Sequence, residues 1–362
     1  MTQTAIPYHF LRGGTSRGPY FLASDLPSDR ETLANVLVAA VGAGHSLNID
    51  GIGGGAAVTT KVAILSKSDD DWADVDYFFA QVAVEEALVD FKPTCGNILV
   101  GVGPAAIEKG LVAPTGDVTE VKIRAVNTGA EVVSRVQTPG GKVMYAGERP
   151  LDGVPGKAAP IEVNFRKVTG SSTGKFLPTG NLRDVIRGIE VTCMDVAMPM
   201  VIARAESFGV TGEETREELD NDVTLFAKME ALRLEAGEAM GMGDVTKSVT
   251  PKFGLIAPPM KGGSFNARYF MPWKTHPTMA VTGAQCLAAC ALTPGTIADD
   301  VWARPNANPA RVMIEHISGE IEVVVDYEND EGGFHVNSAG LVRTARLLAE
   351  GVVYVPTSVW AP

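Results

Sequence analysis

Two residues in this sequence combine a side chain able to carry a proton in an organic reaction with a setting suited to it. Cys95 is followed by Gly96 and Asn97 and then by the apolar run ILVGVG. It therefore stands where a helix would begin, beside backbone N–H groups that no helical carbonyl can reach. Such a setting lowers a thiol pKa and also suits a substrate carboxylate. A small apolar residue at a helix start would read the same way. Lys61 follows two threonines and opens Val-Ala-Ile-Leu, at the entrance of a mostly buried strand. It is either a lysine that snorkels to the surface or a desolvated amine suited to act as a base.

Several segments could hold an anionic substrate beside this pair. Arg12-Gly-Gly-Thr-Ser16-Arg17-Gly combines two cations, two hydroxyls and flexible backbone, and the glycine turn at 51–55 adds Gly53 and Gly54. Arg268, His276 and Thr278 lie upstream of Thr282-Gly283-Ala284, the start of a second apolar stretch. There Arg268 or His276 could neutralise a carboxylate while Gly283 and Ala284 offer N–H groups. The structural alternative is that His276 caps a loop and Arg268 is a strand-surface charge.

Other chemistries find less support. The phosphate-loop pattern G-x-x-x-x-G-K-[ST] is absent, and so is the G-x-S-x-G elbow of the hydrolases. Five histidines (His9, His45, His276, His316, His335) are scattered without metal-ligand spacing, so no metal site is expected. Gly101-Val-Gly-Pro-Ala-Ala106 matches G-x-G-x-x-A, which keeps an NAD(P)-dependent dehydrogenase among the alternatives. The apolar run before it is short for a strand, however. A non-catalytic accessory protein is the third reading.

An internal repeat indicates which elements position these groups. Residues 58–65 read VTTKVAIL and residues 249–256 read VTPKFGLI. A glycine-rich turn precedes each copy, GIGGG at 51–55 and MGMGD at 240–244, and a helix-like stretch precedes each turn, 30–44 and 213–237. The second stretch opens T-G-E-E, with Thr211 as the expected N-cap. Downstream, Cys95-Gly-Asn and Thr282-Gly-Ala begin segments apolar on nearly every face, as in a helix buried on all sides. Strand-like runs surround both. The pattern predicts an α+β protein of two similar domains, each a curled mixed sheet wrapped around a central helix. The boundaries expected are 1–187 and 188–344, with a terminal strand, 345–362, returning to the first domain. GKAAP and GSSTGKFLPTGN, at 156–160 and 170–181, read as loops.

Composition narrows the partners. The chain has 362 residues, 45% hydrophobic and 20% charged, with a net charge of −12 and no Lys/Arg-rich run. It lacks the electrostatic footprint of a nucleic-acid or anionic-membrane binder. No apolar stretch is long enough to span a bilayer, and the N-terminal residues do not read as a signal peptide. Four cysteines without C-x-x-C make no disulfide framework. A cytoplasmic protein is expected.

Taken in order, RGGTS, DGIGG, TTKVAIL, CGN and HPTMAVTGA resemble the PrpF-like isomerases. That family includes 2-methylaconitate cis–trans isomerase, aconitate isomerase and 4-oxalomesaconate tautomerase or isomerase. The resemblance runs through nearly the whole chain. It implies the diaminopimelate-epimerase fold of two pseudo-symmetric domains, an activity that shifts a proton on an unsaturated tricarboxylate, and no cofactor. By position, the family's catalytic lysine and cysteine fall on Lys61 and Cys95. Related epimerases carry a cysteine at the start of each central helix. Here the second-half counterpart is Thr282, which argues against amino-acid epimerisation. The wording DGIGG…TTKVAIL is most similar to the 4-oxalomesaconate enzymes of protocatechuate and gallate catabolism. The partner implied is a small tricarboxylate, and a homodimer is left open.

Overall fold

The computed structural model describes residues 2–330 and 333–362. Its chain is sheet-dominated α+β with few helices. Contacts divide it into two units, Met1–Asn164 with Val342–Pro362, and Phe165–Leu341. The second unit thus begins before the expected 188. The cause lies in the turns after Lys167: Ser171 and Thr173 hydroxyls and the Ser172 and Thr173 N–H groups all donate to the buried carboxylate of Asp195.

Each unit repeats one connectivity. A hairpin comes first, Gln3–Gly13 with Ser16–Leu22, and Ile189–Asp195 with Pro199–Arg204. A helix follows, Arg30–Val41 in the first unit and Val223–Ala239 in the second. The next strand starts on the lysine of V-T-x-K, Lys61–Lys67 or Lys252–Ala257, and lies parallel to the hairpin's second strand. Antiparallel to it runs Val75–Val82 or Phe265–Phe270. After the buried helix comes a strand parallel to that one, Val118–Ala125 or Ala310–His316. An antiparallel neighbour closes the series, Ala130–Gln137 or Gly319–Asp330. From Gln3↔Pro356 to Gly13↔Ala345, the last strand pairs antiparallel with the first.

Side-chain alternation assigns the two faces of the first unit's sheet. Ile6, Phe21, Val62, Ile64, Ala80 and Val82 pack on the helix Arg30–Val41. That helix is stopped cleanly at both ends, by Asp29 accepting from the Thr32 N–H at 2.7 Å and by Gly42 in the left-handed region. The opposite face meets the helix pair Gly96–Val100 and Val102–Glu108, where Tyr20 Oη donates to the Ile98 carbonyl at 2.6 Å. In the second unit, residues 283–292 of the helix Val281–Leu292 are all buried, against Met200, Phe265, Val312 and Val323 among others. The helix Val223–Ala239 covers the other face, against Val191, Val201 and Leu255.

Local expectations fared unevenly. Thr211 is not the cap of the second helical stretch; Thr215 is, in a capping box with Glu218. Thr211 instead donates to the Glu214 carboxylate. Most of GKAAP belongs to strands, Val154–Ala158 pairing with Arg149–Leu151 in a small hairpin, because Gly153 supplies the left-handed turn position and Gly156, within the second strand, the left-handed residue where the register shifts.

Gly18 is the tightest point of the first unit. A Cβ there would land on the carbonyl of Lys61, across the parallel pairing. Gly18→Ala is therefore expected to destabilise by about 3 kcal/mol in denaturant unfolding. Gly116→Ala, where a Cβ meets nothing within 4 Å, should leave the midpoint unchanged. Equal midpoints for the two variants would contradict this packing.

Candidate active site

Lys61 reaches its position through the sheet. It lies directly opposite Gln81 on the neighbouring strand, and its Nζ donates to Gln81 Oε1 at 2.7 Å. The Gln81 amide is itself fixed, Nε2 donating to the Ala57 and Val82 carbonyls and to Thr60 Oγ1. The Lys61 ammonium lies 5.4 Å from the ring centroid of Phe79. Lys61 is half-buried at the head of a strand whose next four residues are buried. A snorkelling surface lysine would not be held this way.

Cys95 is tied to the same strand. Tyr77 Oη donates to the Cys95 carbonyl at 3.4 Å. Tyr77, Phe79 and Gln81 alternate along Val75–Val82 and so share one face. That face carries Lys61 at one end and the helix start at the other. Cys95 is the N-cap of Gly96–Val100, with extended backbone and no side-chain cap bond, so its thiol is not consumed by capping. The first helical bond runs from the Leu99 N–H to the Cys95 carbonyl, which leaves the N–H groups of Gly96 and Asn97 outside the helical ladder. Burial holds the phenols of Tyr20 and Tyr77 well above the usual range, with the neighbouring Cys95 adding to the effect. Both therefore stay protonated donors that clamp the helix start.

The Arg12–Gly18 segment divides its cargo between the two faces. Gly13 and Gly14 fit against Asn97, and Asn97 Nδ2 donates to Thr15 Oγ1 at 3.0 Å. Ser16, paired with Gly13, is buried and its hydroxyl has no partner. Ser16 thus stands on the helix side as an uncommitted donor. Arg12 and Arg17 point the other way, in a row with Arg346. Arg12 Nη1 donates to the Gly14 and Thr344 carbonyls. Arg17 lies 5.7 Å from the Phe10 centroid and against Gly54. Gly53 is structural, since its N–H donates to the Val41 carbonyl.

In the second unit the expected anion clamp takes a different form. Arg268 is 6% exposed, with Nε donating to the Glu214 carbonyl and Nη1 to Asn266 Oδ1 and the Ala267 carbonyl. It is a core cation rather than a strand-surface charge or a carboxylate ligand. His276 Nδ1 accepts from the Thr278 N–H at 3.0 Å, and burial lowers the imidazole pKa, so the ring is neutral near pH 7. The helix cap is Ala280, placing Thr282 inside the first turn with its hydroxyl on Met198 Sδ. Ala284 N–H is already used, donating to the Ala280 carbonyl, while Gly283 fits against the Tyr269 ring.

The dinucleotide pattern fails on geometry. Val102–Ile107 are buried within a helix, and Gly103 packs on Ser134 and Val136. No strand–turn–helix opens there for a pyrophosphate. Among the described residues, no group of three or more His, Cys, Asp or Glu side chains could hold a metal ion, and no helix is long and apolar enough to cross a membrane. Gln81, Phe79 and Tyr77 were not evident from motifs. Their alternation on the strand after Lys61 was the available signal.

A family model described as PrpF protein matches residues 3–356. The 4-oxalomesaconate tautomerase of Pseudomonas putida is 46% identical over 360 residues, covering 99% of this chain and 99% of the relative. The (4E)-oxalomesaconate Delta-isomerase of Novosphingobium sp. strain KA1 is 48% identical over 349 residues, 96% of this chain and 97% of the relative. A crystal structure of methylitaconate-delta-isomerase superposes with a TM-score of 0.90 at 33% identity, covering 100% of this chain and 98% of that one.

The four thiols differ sharply in environment. Cys193, Cys286 and Cys290 are buried, which pushes Cys193 and Cys290 up to about 12 and Cys286 well above its ordinary value. With a pKa of about 12, about one thiol in ten thousand is ionised at pH 8. Iodoacetamide on the native protein at pH 8 should therefore label Cys95 alone, read by peptide mass spectrometry. Labelling of Cys286 or Cys290 before unfolding would contradict the packing of the second buried helix.

Proposed function

The chain belongs to the PrpF family, and from that premise we propose that it is an isomerase of an unsaturated tricarboxylate, best matched by 4-oxalomesaconate in the breakdown of aromatic acids. The reading needs no cofactor, because the reaction only relocates a proton and a pair of electrons. A C–H bond next to a carbonyl or vinylogous carboxylate gives its proton to the side chain of Lys61 acting as the base. Its electrons pass into an extended dienolate. Return of the proton at another carbon completes a 1,3-allylic shift, and its return at the enolate oxygen completes a keto–enol change, with nothing oxidised in either case.

The observation that carries this reading is the shared face of Val75–Val82, which holds both Lys61 and the Cys95 helix start. Gln81 fixes the amine by accepting one of its N–H bonds. Cys95 acts as an acid or hydrogen-bond donor to the enolate, with the Gly96 and Asn97 N–H groups and the free Ser16 hydroxyl available to the developing oxyanion and carboxylates. We read the two units as copies of one plan, each sheet curled about its buried helix, of which only the first kept a Lys/Cys pair. The compartment we infer is the cytosol, consistent with four free thiols.

Positioned acid–base groups contribute about 10²–10⁴-fold in rate. With 4-oxalomesaconate as substrate, Lys61→Met should lose about 10³-fold or more in kcat, while Cys95→Ser should retain measurable turnover. Trapping a covalent adduct on Cys95 during turnover would overturn the non-covalent role. Absence of spectral change with 4-oxalomesaconate, together with turnover of a methylitaconate or methylaconitate, would move the substrate assignment within the same chemistry.

A further inference from the structure

A second cationic site lies within the first unit, on the sheet face opposite Cys95. Arg12 is paired directly with Arg17 on one neighbouring strand and with Arg346 on the other. Directly paired residues project to the same face, so three guanidinium groups form one row across three strands. Like charges directly opposite are destabilising. Among the described residues no carboxylate lies within ion-pair distance of any of the three. Burial lowers the Arg12 pKa, and Arg346 adds to this by repulsion. In a chain of net charge −12, the half-buried Arg12 with the exposed Arg17 and Arg346 makes a local positive patch on an otherwise acidic protein.

The row lines a cavity of about 440 Å³, to which Lys157 adds a fourth cation. Lys157 is bonded to the exposed carboxylate of Glu148 at 2.8 Å, so it is partly compensated. The rest of the wall is mostly apolar, from Leu151, Val154, Pro155, Ala158 and Leu348, with Tyr145 and Thr344 as its polar members. Arg12 is pinned by Nη1 to the Gly14 and Thr344 carbonyls, which fixes its plane before any ligand arrives. The face is the same one that packs Ile6, Phe21 and Val353 on the helix Arg30–Val41. Gly13, one residue on from Arg12, faces Asn97 and Gly101 on the other side.

We propose that this cavity is a separate binding site for an organic di- or tricarboxylate. The chemistry selects the class. Guanidinium forks match carboxylates bidentately, and paired strand positions set the Cβ atoms of these arginines about 5 Å apart, so that neighbouring forks can serve two carboxylates joined by a short carbon chain. The apolar wall and the volume suit that carbon skeleton better than an inorganic oxyanion.

Calorimetric titration with tricarballylate, a saturated tricarboxylate with no double bond to move, tests it on wild type, Arg346→Ser and Lys61→Met. The expected result is a binding event that survives Lys61→Met and weakens about tenfold or more in Arg346→Ser, with kcat/KM for the isomerisation unchanged in Arg346→Ser. Ligand-free Arg346→Ser should unfold no earlier than wild type, because it relieves repulsion. Tricarballylate affinity equal in Arg346→Ser and wild type would overturn the site. Inorganic phosphate binding as tightly as tricarballylate would overturn the assignment to polycarboxylates. Since the readout is binding, failure of the proposed turnover leaves this outcome separately legible.

Discussion

Lys61 and Gln81 stand opposite one another on adjacent antiparallel strands, and the bond between their side chains anchors the candidate chemistry to the sheet. A lysine side chain loses rotamer entropy of about 2 kcal/mol when ordered, so it stays in one place only if something holds it. Gln81 does so because its own amide is fixed by two backbone carbonyls and a threonine hydroxyl. Phe79 adds a ring face to the ammonium from the same side of the strand. The helix start follows from the same strand through Tyr77, and from the preceding hairpin through Tyr20. Close approach of backbone at Gly13, Gly18 and Gly101 is what allows these layers to meet.

The two copies of V-T-x-K share a connectivity but not a chemistry. In the first, the glycine turn is held by the buried Asn48, whose amide donates to the Gly42, His45 and Val84 carbonyls. In the second, the equivalent turn is held by the fully buried Arg233, which donates to the Val245, Ser248 and Thr250 carbonyls and pairs with Glu230. Burial and the nearby Arg233 charge lower the Lys252 pKa. Thr282, in the first turn of the second buried helix, is set against Met198 rather than carrying a thiol. One scaffold therefore carries the candidate Lys/Cys pair in one unit and a packed, structural arrangement in the other.

Much of this was legible in the residues themselves. The repeat located both lysines and both buried helices, since strand and helix periodicity survive where side chains diverge. The division of RGGTSRG between two faces was not legible, because its charged and hydroxyl residues look like one ligand set until strand register assigns them by parity. Arg268 misled for a related reason: a cation upstream of a helix start reads as an anion clamp, and only the partners of its N–H groups reveal a core role. Gln81 escaped notice because glutamine carries no motif, and its importance arises from pairing 20 residues away.

The central claim is that the Lys61 amine carries a proton between carbon atoms of the substrate. Proton NMR of 4-oxalomesaconate turnover in deuterated water, run with wild type and Lys61→Met, tests it at the transferred atom. The account predicts deuterium at the newly protonated carbon with the wild-type enzyme, because a lysine ammonium exchanges with solvent, and no incorporation above the uncatalysed rate with Lys61→Met. Deuterium incorporation at the wild-type rate in Lys61→Met would contradict it.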